Sequence, residues 1–149
     1  MKIVKIPKLS NELENLPFRV DDTGVYVKYF DDGVQAGFPS PADDFKEEKL
    51  SLDKKYITNP NATFIIKVKG SSMSATLEPE DILIVKSDEE LQDNSIGIIS
   101  VNNTDFTVKR FDKTNQKLIA DNKKYSDVII HEDDTLLCLG VVKHLIRDL

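Results

Sequence analysis

The chain has 149 residues, with 20 lysines and arginines against 26 aspartates and glutamates, for a formal net charge of −6. That length suits one buried core with a short appendage. The acidic balance excludes a free-standing nucleic-acid binder, which needs a basic face to displace counterions from phosphates.

Residues 1–36 hold five basic and six acidic side chains, so most of the net charge sits in the body. The one strand-like run here is 25–30, rich in aromatic and β-branched residues and flanked by turn-like 21–24 and 31–33. The segment has little helical periodicity and is too short for a helix-turn-helix domain with its own core. It reads as an arm that leans on something else. Residues 36–42 (Ala-Gly-Phe-Pro-Ser-Pro-Ala) then mark a boundary, because two close prolines fix the backbone and remove amide donors.

The rest of the chain is the body. Residues 43–52, with acids early, lysines later, and Phe45 and Leu52 at a helical spacing, predict a helix. Short strands follow, at 63–69, 81–86 and 96–101. A hairpin joins 96–101 through Asn102 and Asn103 to 104–111. Further strands are predicted at 117–120, 128–130 and 135–146. Many short strands at turn-marked intervals predict a mostly β, antiparallel body, strongly bent or barrel-like.

Single-residue chemistry is sparse. One cysteine, Cys138, excludes an internal disulfide framework and a Cys-based zinc site. His131 stands among acids in a turn and reads as solvated; no metal or cofactor is expected. Cys138 and His144, on the last apolar strand, read as core or interface residues. No apolar stretch approaches a membrane span and the N-terminus lacks the apolar run of a signal peptide, so the expected location is cytoplasmic.

Two features carry more chemistry. Residues 70–74 (Gly-Ser-Ser-Met-Ser) follow a strand directly. A serine in such a turn can project its hydroxyl while backbone amides converge on one point, as acyl transfer requires, although Gly-Ser-Ser is also a common turn composition. In 106–111 (Phe-Thr-Val-Lys-Arg-Phe), alternation puts Lys109 and Arg110 on opposite faces. Each cation either snorkels or pairs with an acid, or one is desolvated enough to act as a neutral base.

Together these pieces resemble the self-cleaving LexA/UmuD peptidases. The resemblance rests on Gly70-Ser71-Ser72-Met73, on Thr107-Val108-Lys109 with Lys109 37 residues after Ser72, and on Ala36-Gly37 ahead of Phe38-Pro39-Ser40-Pro41. It runs from Ala36 to the C-terminus and includes Tyr125-Ser126 and Gly140-Val141-Val142. The Phe-Pro-Ser-Pro-Ala segment and the short arm are UmuD-like. Two positions depart from the pattern: Ala36 stands where the best-known UmuD has cysteine, and Ser71 replaces an acidic residue that often precedes the nucleophile. The first twenty residues have no counterpart.

The resemblance implies a LexA/UmuD peptidase fold over 37–149, with an arm, 1–36, removed by self-cleavage between Ala36 and Gly37. It implies Ser72 as nucleophile, Lys109 as general base, and the Ser72 and Met73 amides as oxyanion donors, with Met73 itself a packing residue. An ordinary lysine is neutral in roughly one molecule in 2500 at pH 7, and burial favours the neutral form. The implied setting is the SOS response. There a homodimer is cut on contact with a RecA filament on single-stranded DNA, and the shortened form then joins a UmuC-like Y-family polymerase for error-prone lesion bypass. A sliding clamp is a further expected partner; direct DNA and membrane binding are not expected. The alternative is a stand-alone regulatory LexA-like or UmuD-like protein controlling transcription or polymerase activity. Type I signal peptidases also use a Ser/Lys pair, but are anchored in a membrane.

Overall fold

The computed structural model describes residues 8–20, 24–30 and 47–149. The described chain forms two compact units, one joining the residues up to Phe18 with Asn61–Leu149, the other Arg19–Pro60. The expected scissile pair Ala36–Gly37 and the Phe-Pro-Ser-Pro segment lie outside the described residues.

The first unit is an eight-stranded antiparallel sheet. Its strands are β1 (Leu13–Leu16), β4 (Thr63–Val68), β5 (Ile82–Lys86), β6 (Ile96–Val101), β7 (Thr107–Asp112), β8 (Lys117–Ile119), β9 (Val128–Ile129) and β10 (Leu136–Ile146). They lie in the order β1-β4-β5-β10-β6-β7-β8-β9. The mostly β, antiparallel reading of the sequence is therefore correct. β10 is the longest strand, 11 residues, and pairs with both β5 and β6. Its register shifts between Cys138 and Gly140 and again between Val142 and His144, and such bulges bend a sheet. At the first shift a side chain at Gly140 would meet the Lys86 backbone at 2.9 Å, so only glycine allows the two strands to approach so closely.

The predicted hairpin is present. Asn102 and Asn103 both adopt left-handed φ, 53° and 58°, which a tight turn between twisted strands requires and asparagine tolerates. The Thr104 amide closes the turn by donating to the Val101 carbonyl at 3.2 Å. One principal core cluster includes Leu13, Ile66, Val68, Met73, Leu77, Leu83, Val85, Ile98, Phe106 and Val108. Burying each large side chain contributes about 1.5–3 kcal/mol. Met73 is 1% exposed, in keeping with its reading as a packing residue.

In the second unit, β2 (Val27–Phe30) pairs antiparallel with β3 (Glu47–Leu50), followed by a one-turn helix, α1 (Leu52–Tyr56). This corrects the predicted helix over 43–52, of which 43–46 lie outside the described residues. Residues 47–50 instead take a strand partner in the aromatic, β-branched β2, because pairing outweighs a weak helical pattern with few apolar positions. The helix that does form, α1, begins where the predicted one ends and carries its own favourable charges, with Asp53 in its first turn and Lys54 and Lys55 in its last. The Lys54 ammonium sits 4.9 Å from the centre of the Tyr26 ring and donates to its hydroxyl.

The last strand also differs from expectation. Of the two readings given for them, core or interface, the first is corrected for Cys138 and His144: Cys138 is exposed and His144 only partly buried, because much of β10 is open to solvent in the single chain. His131 is exposed. Among the described residues, no cluster of His, Cys, Asp and Glu is arranged to hold a metal ion, and no helix is long and apolar enough to cross a membrane.

Candidate active site at Ser72 and Lys109

β4 ends at Val68, and the chain enters a series of turns at Gly70 that carries Ser71, Ser72 and Met73. Met73 anchors these turns in the core, and its carbonyl accepts the Thr76 and Leu77 amides at 2.8 and 2.9 Å. β7 brings up Lys109. Val108 points into the principal core cluster, so alternation turns Lys109 to the other face of the strand, where Phe111 also lies.

The two side chains meet. Lys109 Nζ lies 3.1 Å from Ser72 Oγ, and the residues are only 7% and 2% exposed. Nζ is also 3.2 Å from Thr107 Oγ1 and 3.1 Å from the Val108 carbonyl oxygen. A buried amine that touches a hydroxyl can take the hydroxyl's proton once it is neutral, and the resulting alkoxide is a nucleophile. Among the described residues, no backbone hydrogen bond is donated by the Ser72 or Met73 amide.

Arg110 takes the other option open to a strand cation. Its guanidinium donates twice to Asp121, from Nε at 3.0 Å and from Nη2 at 2.7 Å. That hydrogen-bonded charge, outweighing burial, holds the Asp121 carboxyl below its ordinary range. Thr76 Oγ1 donates to the same carboxylate at 2.6 Å.

Sequence reasoning missed the clamp that follows Asp121. The Asn122 amide donates to the Ser72 carbonyl at 3.0 Å, and Asn122 Nδ2 donates to the Ser71 carbonyl at 2.9 Å. Tyr125 Oη and Ser71 Oγ share a hydrogen bond of 3.0 Å. Ser71, where an acid is frequent in the family pattern, is thus engaged by a residue of that same pattern. The 121–125 loop therefore holds the backbone carrying Ser72 through bonds to the Ser71 and Ser72 carbonyls.

It also missed Glu12. Its carboxylate accepts a 2.7 Å hydrogen bond from Thr107 Oγ1 and forms an ion pair with Lys109 at 3.5 Å. Burial pushes the Glu12 carboxyl up, but the Thr107 hydrogen bond and the Lys109 charge outweigh it and leave the group below its ordinary value. Nothing in the local sequence of an acidic, polar stretch marks this glutamate.

Residues 25–143 match the family model described as Peptidase S24-like. Protein ImpA of Salmonella typhimurium is 34% identical over 127 residues, covering 82% of this chain and 85% of its own. Protein SamA of Salmonella typhimurium is 35% identical over 120 residues, covering 79% and 83%. The LexA repressor of Acidithiobacillus ferrooxidans is 34% identical over 120 residues, 76% of this chain and 58% of that one. The chain belongs to the Peptidase S24-like family and within it is a UmuD-like member of the LexA/UmuD self-cleaving serine peptidases.

Proposed function

We propose that this protein cuts its own chain between Ala36 and Gly37, using Ser72 as nucleophile and Lys109 as general base. Ser72 Oγ attacks the Ala36 carbonyl carbon while Lys109 Nζ takes the hydroxyl proton. The Ser72 and Met73 amides stabilise the negative oxygen of the tetrahedral intermediate. Lys109 returns the proton to the Gly37 nitrogen as the C–N bond breaks, and a water deprotonated by Lys109 then hydrolyses the acyl-serine. The observation that carries this reading is the 3.1 Å contact between Lys109 Nζ and Ser72 Oγ within a buried setting. An extended chain covers about 3.3–3.6 Å per residue, so the 36 residues from Ala36 to Ser72 are long enough for attack within one chain or on a dimer mate.

The wider role follows the family resemblance. The arm 1–36 is shed when the homodimer meets a RecA filament on single-stranded DNA in the cytoplasm. The body, 37–149, then serves as a subunit of a UmuC-like translesion polymerase, with the sliding clamp as a further contact. Incubation with RecA, an ATP analogue and single-stranded DNA tests the first step. A polymerase recovered with the shortened body supports the second, whereas recovery of promoter DNA with the intact chain favours a stand-alone regulator.

A further inference from the structure

Residues 8–16 pair with two parts of the sheet on either side of a turn at 11–12, and Glu12 in that turn reaches Lys109. On one side the Phe106 amide donates to the Lys8 carbonyl at 2.7 Å, and the Ser10 amide donates to the Phe106 carbonyl at 2.8 Å. A turn follows, closed by the Leu13 amide on the Ser10 carbonyl at 3.1 Å. On the other side the Glu12 carbonyl accepts the Lys69 amide at 2.6 Å and the Gly70 amide at 3.2 Å, and β1 continues along β4 from Leu13–Val68 to Leu16–Ile65. Leu13, 6% exposed, is anchored in the principal core. The Glu12 side chain lies so close over Gly70 that a methyl group there would come within 2.8 Å of its Cγ.

The segment occupies what a substrate needs. A scissile carbonyl must come to about 3–3.5 Å from the attacking oxygen in an aligned pose. The backbone edge of β4 leading into Ser72 is already paired with β1, and the Lys69 and Gly70 amides are already used by Glu12. A carboxylate 3.5 Å from Lys109 Nζ also competes with Ser72 Oγ, at 3.1 Å, for the same nitrogen. An ion pair with Glu12 requires the ammonium, which has no lone pair to accept the Ser72 proton.

We propose that the groove between the β4 edge and Phe106–Thr107 is a peptide-binding site whose resident ligand is the chain's own segment 8–16, with Glu12 seated on Lys109 as its carboxylate anchor. The segment holds the protein uncut, and the scissile segment gains Ser72 only when the resident strand leaves. This rests on the assignment of Ser72 and Lys109 to self-cleavage. Cutting then removes the resident strand together with the arm, so the shortened body presents a vacated edge able to take another extended peptide with a suitably placed carboxylate.

The test uses the full-length chain without RecA. Glu12→Gln keeps the shape and removes the charge, and Leu13→Ala loosens the strand's anchor. Each should raise the spontaneous cleavage rate at neutral pH about tenfold or more, since the rate follows the fraction of molecules with an open cleft. In a Ser72→Ala background, where nothing is cut, the same changes should speed hydrogen exchange at the Lys69 and Gly70 amides. Cleavage and exchange both unchanged would overturn the proposal. So would slower cleavage in Glu12→Gln, because a glutamate that oriented the base would be needed for turnover. A wild-type chain left intact even with RecA filaments would instead sink the self-cleavage reading, and the exchange data would still report on the resident strand.

Discussion

Lys109 and Glu12 stand 97 residues apart in sequence and 3.5 Å apart in space. The ammonium has three hydrogens, yet four acceptors surround it: Ser72 Oγ, Thr107 Oγ1, the Val108 carbonyl and the Glu12 carboxylate. One buried cation is therefore shared between the side chain it is proposed to activate and one that holds it back. A charge this deeply buried is tolerable only with such partners.

The 121–125 loop should matter for catalysis more than for folding. Asn122→Ala removes the 2.9 Å bond to the Ser71 carbonyl while keeping the backbone bond to Ser72. Losing one hydrogen bond costs about 1 kcal/mol of stability. The turn carrying Ser72 becomes looser, and misplacement on this scale should slow self-cleavage by about tenfold or more. Urea unfolding and cleavage rates measured on the same preparation check both halves. A large stability loss with unchanged cleavage would contradict the positioning role.

Cleavage without RecA should accelerate as pH rises. Only the amine form of a lysine accepts a proton, and in any lysine rising pH favours that form. RecA adds no catalytic group in this account; it favours the arrangement in which the scissile segment occupies the cleft, so its stimulation should be largest near neutrality. Rates between pH 7 and 10, with and without filaments, test this. A flat profile in the absence of RecA would argue against a lysine base.

The fold itself has an acid-sensitive joint. Asp81, 1% exposed, accepts two hydrogen bonds of 2.7 Å from Arg147 and one of 2.8 Å from the Glu78 amide. The Arg147 bonds, against the opposing effect of burial and with help from the Glu78 amide, hold its carboxyl below the ordinary value. A carboxyl depressed in the folded state stabilises the protein above its unfolded pKa of about 3.9 and loses that contribution as pH falls through the folded value. Asp81→Asn should therefore lower Tm more at pH 7 than at pH 3. Equal losses at both would show that the aspartate contributes through packing alone.

The body was legible in the sequence because its signals are local. β-branched runs over 63–69 and 96–101, and two asparagines suited to left-handed φ, define strands and a turn without outside help. That Ser72 and Lys109 meet was legible through the spacing of a family motif. β1 was not: Leu-Glu-Asn-Leu has weak strand propensity and becomes a strand because β4 offers an unpaired edge and the core accepts Leu13. Glu12 was hidden for the same reason, since its partners Thr107 and Lys109 arrive from the far end of the chain. The helix predicted over 43–52 failed in the opposite sense, a local charge pattern overridden by pairing with β2.

The central claim, that Ser72 and Lys109 cut the chain at Ala36–Gly37, is tested most directly by intact-mass spectrometry after incubation with RecA filaments. The account predicts a body fragment whose mass begins at Gly37, and none from Ser72→Ala or Lys109→Ala proteins that remain folded. A different junction, or product from either variant at the wild-type rate, would contradict it.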